Sequence, residues 1–511
     1  MTRTMPETAD SLPELIRSLR DPACYDHPAG PVRHLETHIS HLLLTGAFAY
    51  KVKKPLDLGF LDFSNLAKRL HACEEEVRLN RRLAPDVYLG VVPITGSPAA
   101  PRVDGAGEAF EYAVKMRQFP ADATLDRLDA SGGPSAEQVE AIARTIARFH
   151  LHDCARAPDD SPWGTPQKVW QPMAENFEHI APLLADPVRR AQLDALHAWS
   201  AAEHARLSPL LAARKRDGFV RECHGDLHLG NLAWVDGGLL VFDCLEFNPG
   251  LRWIDIQSEI AFCWMDLLAR GHADRAWLFL NLWLEQTGDY AGLVLLRFYA
   301  VYRAMVRVKV AALRAGQTAG AERDAALGEA HTLLDLATAL TRPRPVRLDI
   351  THGLSGSGKT TVTRRLMQAP GAIRVRSDVE RKRMAGLDAL AKSGAGVGEA
   401  LYAADATQRT YHYLAELAGQ LLDAGWPVIV DATFTARWQR ELLRDTARAH
   451  RAEFRILDFP VPVATLRERI VARARAGGDA SEADLGVLQH QLDTEEPLDA
   501  DEQAAVVRVE G

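Results

Sequence analysis

The chain has 511 residues, 47% hydrophobic and 25% charged, with a net charge of −8. That length exceeds one ordinary hydrophobic core and predicts two or three domains, while the composition excludes a fibrous or disordered chain. The acidic balance argues against a general nucleic-acid-binding surface. Six cysteines without a C-x-x-C pair predict a reduced, cytoplasmic setting. Met1 to Arg20 carries Glu7, Asp10 and Glu14 and no apolar core of a secretory signal, and no later apolar run reaches membrane-spanning length, so neither export nor a membrane partner is expected.

In chain order, the pattern predicts a strand over Glu36 to Leu44, a second over Ala49 to Lys54, a helix over Leu66 to Leu83 and a strand over Glu111 to Phe119. This is a small mixed lobe ending near residue 119. From Ser135 to Leu340 the periodicity is mainly helical, interrupted by two short strands between His224 and Phe242 that a Gly237-Gly238 turn joins. Thr341-Arg-Pro-Arg-Pro345 then forbids helix continuation and marks a linker, dividing residues 1–340 from 346–511. Beyond it, a strand (Arg347 to Thr351), helix (Thr360 to Gln368), strand, helix (Thr407 to Ala424), strand (Val428 to Asp431), helix and strand (Glu453 to Phe459) alternate. Such alternation implies a parallel sheet covered on both faces.

The segment His224-Gly-Asp-Leu-His-Leu-Gly-Asn231 precedes Leu239-Leu-Val-Phe-Asp243. A tight hairpin between them would gather Asp226, Asn231 and Asp243. Phosphoryl transfer needs such a trio: one carboxylate for the attacking hydroxyl, and an amide oxygen and second carboxylate for Mg²⁺. These residues resemble the catalytic loop and metal aspartate of aminoglycoside phosphotransferase-like kinases, a likeness that covers about residues 30 to 340. The resemblance implies a bilobal α+β kinase fold, Asp226 as catalytic base, and Asn231 and Asp243 on the metal. It further implies a strand lysine that reaches the nucleotide phosphates and pairs with a helix glutamate. Lys51 and Lys53 share one face of their strand; Lys53 fits the family pattern best, Lys51 second, with Glu76 as partner. No glycine-rich loop precedes the hairpin, Thr37-His-Ile-Ser-His41 standing there instead, and Gly225 occupies the position where protein kinases carry arginine. Without a peptide-binding activation segment, the acceptor is expected to be a small-molecule hydroxyl. An antibiotic substrate is not expected.

Gly353-Leu-Ser-Gly-Ser-Gly-Lys-Thr360 follows an apolar strand and opens a helix, the context a P-loop requires. Gly353, Ser355, Gly356, Ser357 and Gly358 present N–H groups to phosphate, Lys359 reaches the β- and γ-phosphates, and Thr360 ligates Mg²⁺. This half resembles AAA-type P-loop kinases of the zeta-toxin and polynucleotide-kinase kind. The resemblance implies Asp378 as general base and Arg381 as acceptor contact, while Asp431, ending the third strand, belongs near the metal. Arg467, Arg469, Arg473 and Arg475 crowd a lid helix, with Arg473 the nucleotide contact.

The reading is a bifunctional phosphotransferase using ATP and Mg²⁺, whose halves separate at the linker and each bind nucleotide. Two alternatives stay open. One is a regulatory protein in which one ATP-binding domain gates the other; the second is a polynucleotide 5′-hydroxyl kinase in the P-loop half, which would need a basic cleft from Arg374, Arg376, Arg381, Lys382 and Arg383 around Asp378.

Overall fold

The computed structural model describes residues 13–59, 61–388, 404–476 and 483–509. Packing divides the chain into two compact units, Met1–Gln138 with Arg148–Glu175 and His204–Asp266, and Val139–Ala147 with Asn176–Glu203 and Leu267–Gly511. This division differs from one made at the proline linker. The helices of residues 273–341 fall in the same compact unit as the P-loop strands, and the first of them packs on the edge strand of that sheet.

In the first unit, β1 (Arg33–Glu36), β2 (Ser40–Leu44), β3 (Phe48–Lys53), β4 (Tyr88–Ser97), β5 (Ala100–Val103) and β6 (Ala109–Arg117) form one antiparallel sheet in the order β1-β2-β3-β6-β4-β5. The predicted strand from Glu36 to Leu44 is two strands: the Thr37 hydroxyl accepts from Ser40 N at 2.9 Å and turns the chain back. Alternation on β3 sends Tyr50 and Val52 into one apolar cluster and Ala49 into another, so Lys51 and Lys53 stand on the Ala49 face. Helix α1 (Leu66–Asn80) begins where the Asn65 side chain accepts from Lys68 N, and it buries Cys73, Glu76 and Val77.

The same unit holds β7 (Val220–Glu222), the β8 (Leu232–Val235) and β9 (Gly238–Val241) hairpin, β10 (Trp253–Asp255) and the start of α2 (Ile256–Ala269). The hairpin turns on Asp236 and Gly237, at φ of 50° and 78°, not on the predicted Gly237-Gly238 pair. Asp-Gly suits a two-residue loop whose residues both need positive φ.

The second unit contains α3 (Ala273–Thr287), α4 (Leu293–Gln317) and α5 (Gly320–Thr341), followed by five parallel strands: β11 (Arg347–His352), β12 (Ile373–Arg376), β13 (Val428–Asp431), β14 (Glu453–Asp458) and β15 (Val506–Arg508). Their order is β12-β13-β11-β14-β15. Between them run α6 (Lys359–Leu366), α7 (Ser377–Met384), α8 (Ala404–Asp423), α9 (Arg437–Ala449), α10 (Val463–Ala476) and α11 (Leu485–Thr494). Near-continuous apolar strands such as Val428-Ile-Val are buried on both faces, as a parallel sheet demands. Arg376 pairs with Asp431 and Ile350 with Val430, which brings the carboxyl ends of three strands to one edge where the loop after β11 begins. Open α/β sheets bind ligands at that edge.

Candidate active sites

The first site grows from β3, α1 and the loop after β7. Both predicted lysines are buried and both reach Glu76, itself fully buried. They differ in their second partner. Lys51 Nζ lies 2.8 Å from Glu76 Oε1 and 2.7 Å from Asp243 Oδ1, whereas Lys53 pairs with Glu76 and with Glu246. Burial opposes the charge on Lys51, but Asp243 and Glu76 override it and hold the ammonium well above its ordinary value. Desolvation likewise raises Asp243, and Lys51 more than offsets it, so its carboxyl stays below the usual range. Glu246 ends above its usual range because burial outweighs Lys53.

The backbone aims Asp243. Its φ is 65°, a left-handed conformation that a non-glycine residue holds only when surrounding contacts enforce it. Two contacts do: Asp243 N donates to Tyr88 Oη at 3.1 Å, and Cys244 N donates to Asn80 Oδ1 at 2.9 Å. On the facing loop, Glu259 accepts from His224 N at 2.7 Å and Gly225 N at 3.0 Å, and Asp266 accepts from Leu229 N at 3.0 Å. The loop is therefore pinned by two α2 carboxylates. Gly225 has φ 88°, and a Cβ there would come within 2.8 Å of Leu251 O, which is why the arginine of protein kinases has no place here.

Asn231 Nδ2 donates to Asp226 O and Asp226 Oδ2, both at 2.9 Å, and His228 Nε2 lies 3.3 Å from the same carboxylate oxygen. With both amide hydrogens engaged, Asn231 Oδ1 is left as an acceptor. An amide oxygen and the Asp243 carboxylate are hard oxygen donors that fit Mg²⁺.

The second site surrounds the loop after β11. Gly353, Gly356 and Gly358 have φ of 148°, 86° and 90°. A Cβ on Gly356 would come within 2.9 Å of Leu466 O, so this position needs glycine for space as well as for conformation. Lys359, the first residue of α6, folds back to donate to Gly353 O at 2.7 Å and Leu354 O at 2.8 Å, curling its ammonium around the loop. Ser355 N donates to Gln491 Oε1 on α11 at 2.9 Å. Thr363, one turn after Thr360, donates its hydroxyl to Asp431 Oδ2 at 3.1 Å, which sets the β13 carboxylate against the helix that carries Thr360. A threonine hydroxyl and a carboxylate again suit Mg²⁺.

Asp378 and Arg381 stand in α7, three residues apart and so on one face, just beyond the carboxyl end of β12. Asp378 is not the helix cap; that position is Arg376. From α10, Arg469 Nη1 reaches Ser357 O at 3.4 Å. Arg473 lies on the same helix, its side chain outside the described residues. The basic run around Asp378 is largely spoken for: Arg374 and Arg376 face Glu285, and Arg383 pairs with Glu380. Sequence reasoning missed Glu246 and Glu285. The first is three residues beyond Asp243 and carries the family-like segment's extra charge; the second has no local signal.

Two family models match the chain in order, one described as a phosphotransferase enzyme family over residues 61–286 and one as an AAA domain over residues 348–498. Fold, sites and models together define a kinase-class phosphotransferase, with nucleotide-binding domains whose chemistry implies ATP, usually with Mg²⁺. More particularly, the chain belongs to the family of the protein named "Uncharacterized protein Rv2004c" of Mycobacterium tuberculosis (strain ATCC 25618 / H37Rv). It is 31% identical to that protein over 485 residues, 93% of each chain. "Uncharacterized protein Mb2027c" of Mycobacterium bovis matches to the same extent. Among solved structures, a sugar kinase from Janibacter sp. HTCC2649 is 24% identical, covering 32% of this chain and 86% of its own, with a TM-score of 0.25. A choline kinase from Cryptosporidium parvum Iowa II is 10% identical, covering 60% and 89%, with a TM-score of 0.38. Neither likeness bears on the substrate. Among the described residues, no helix is long and apolar enough to cross a membrane.

Proposed function

We propose that the chain is a bifunctional ATP-dependent phosphotransferase, each site moving the γ-phosphate to a hydroxyl of a small molecule. The observation that carries this reading is the closed set Lys51, Glu76 and Asp243 facing the Asp226–Asn231 loop, together with a complete phosphate loop in the other unit. At the first site Asp226 orients the acceptor hydroxyl and takes its proton, while Asn231 and Asp243 would hold Mg²⁺. Lys51, rather than the Lys53 that the family pattern favours, contacts the phosphates, because it reaches Asp243 while Glu76 positions it; Lys53 neutralises Glu76 and Glu246 from behind. At the second, Lys359 and the N–H groups of residues 353–358 cradle the phosphates, Thr360 and Asp431 would hold the metal, Asp378 receives the acceptor proton and Arg381 contacts the acceptor. Bound Mg²⁺ would neutralise phosphate charge at both sites.

The engagement of Arg374, Arg376 and Arg383 by carboxylates favours a small acceptor over a polynucleotide, which needs free cations along its backbone. The test supplies γ-labelled ATP and a fractionated small-metabolite pool to the full chain. Asp226→Ala and Asp378→Ala should each remove a different labelled product. Loss of the same product in both variants would refute two independent transfers.

A further inference from the structure

Helix α3 lies largely within the stretch matched by the phosphotransferase model, yet its side chains complete the P-loop fold. Asn281 Nδ2 donates to Ala372 O at 2.9 Å and its Oδ1 accepts from Arg374 N at 2.7 Å, so a side-chain amide acts as the missing strand partner along the open edge of β12. One turn earlier, Trp277 covers Gly371 so closely that a Cβ there would come within 2.3 Å of the indole. One turn later stands Glu285, buried, with Arg374 Nη2 at 2.6 Å and Nε at 3.1 Å from its Oε1 and Arg376 Nη1 at 3.7 Å from its Oε2.

The contacts continue inward. Arg374, only 2% exposed, donates Nη1 to Thr360 O at 3.1 Å and brings the same nitrogen within 3.4 Å of Thr363 Oγ1, the hydroxyl that donates to Asp431. The Glu285 backbone oxygen also accepts from Arg383 Nη2 at 2.6 Å, and Arg383 pairs with Glu380 in α7, the helix that carries Asp378. A single α3 residue thus touches both branches of the site: through Arg374 the start of α6 and Asp431, and through Arg383 the helix of the candidate base.

We propose that Glu285 is a positioning residue of the P-loop site, holding Arg374 away from Asp431 so that this carboxylate remains available to the metal. The inference rests on reading Thr360 and Asp431 as the metal-binding pair. Its physical basis is that a buried guanidinium keeps its charge under all ordinary conditions and must have an anion close by. Arg374 already reaches Thr363, Asp431's hydrogen-bond donor. Deprived of Glu285, it can turn along this path through Thr363 toward the Asp431 carboxylate, and an arginine paired there competes directly with a divalent cation. Residues that orient metal ligands from behind commonly change metal affinity when substituted.

The experiment uses the full chain with its first site silenced by Asp243→Ala, and reads the Mg²⁺ dependence of ATP binding and hydrolysis at the remaining site. Glu285→Gln keeps the shape and one acceptor oxygen but removes the charge; it should raise the half-saturating Mg²⁺ concentration by roughly tenfold or more. Removing the excess positive charge as well, in Glu285→Gln with Arg374→Gln, should restore most of the Mg²⁺ affinity. A purely structural role would lower the melting temperature without this recovery. Unchanged Mg²⁺ dependence in Glu285→Gln, or a loss that the double variant does not rescue, would overturn the proposal. Lys359→Ala in the same background keeps the two questions apart: if nucleotide binding survives it undiminished, the P-loop reading itself fails, whatever Glu285 does.

Discussion

On the proposed reading, the two sites would hold a lysine beside phosphate in opposite ways. In the first, Lys51 is suspended between two carboxylates, Glu76 and Asp243, and a second lysine, Lys53, stands behind with Glu76 and Glu246. Position is enforced by charge, on a rigid strand and helix. In the second, Lys359 donates to two main-chain oxygens of its own loop and lies 3.4 Å from the Ser357 hydroxyl. Position there is enforced by backbone conformation, through three glycines at positive φ. The first design spreads its determinants over 192 residues of sequence, the separation of Lys51 and Asp243, while the second gathers them into eight adjacent ones. A charge-held site should fail by electrostatics and a loop-held site by loss of the single group that the loop presents.

Lys359→Ala is the severest way to probe that contrast. It should reduce turnover at the P-loop site by on the order of a thousandfold, since it removes the ammonium that the loop presents to the transferred phosphate, and leave products of the first site unchanged. Steady-state assays of both labelled products measure this. Asp226→Ala should lower first-site turnover by about a hundredfold or more while nucleotide affinity stays near that of the unmodified chain, because Lys51 and Asp243 remain in place. Equal losses of binding and turnover would reassign Asp226 to the metal.

Lys51 and Lys53 separate the two functions of the charged cluster. Lys51→Met should weaken nucleotide binding at the first site. Lys53→Met should instead act on folding, since it leaves the buried Glu246 without its paired cation, at a cost of about 3–5 kcal/mol for breaking a buried pair. Nucleotide titration and thermal unfolding of the two variants distinguish these effects; the reverse pattern would exchange the lysines' roles. The smallest expected effect is on acidification. The carboxyls of Glu76 and Glu285 both lie below the ordinary glutamate value of 4.5, in each case because neighbouring lysine or arginine charge overcomes burial. Their contribution to stability is therefore complete above about that pH and fades as pH falls through their lower folded values. Unfolding free energy measured from neutral pH downward should stay flat in these terms to about pH 4.5 and decline below it.

Much of this was legible where the chemistry is contiguous. Gly353 to Thr360 and His224 to Asn231 carry their geometry in local backbone requirements, so each motif folds as one compact loop. Alternation placed Lys51 and Lys53 on one face, but strand period two cannot separate residues two apart, and the distinction arose from what lies across the fold: Asp243 opposite one and Glu246 opposite the other. Glu285 was invisible for the same reason. It is 89 residues before Arg374 and sits in a helix that periodicity assigned to the other half. The proline linker stands where α5 gives way to β11, while the compact units divide at other positions.

The central claim is that one chain carries two nucleotide sites, and calorimetric titration of the full chain with ATP and Mg²⁺ tests it most directly. Two nucleotides should bind per chain, with Lys51→Met weakening one site and Lys359→Ala the other. A single nucleotide per chain, or loss of both sites through either substitution alone, would contradict it.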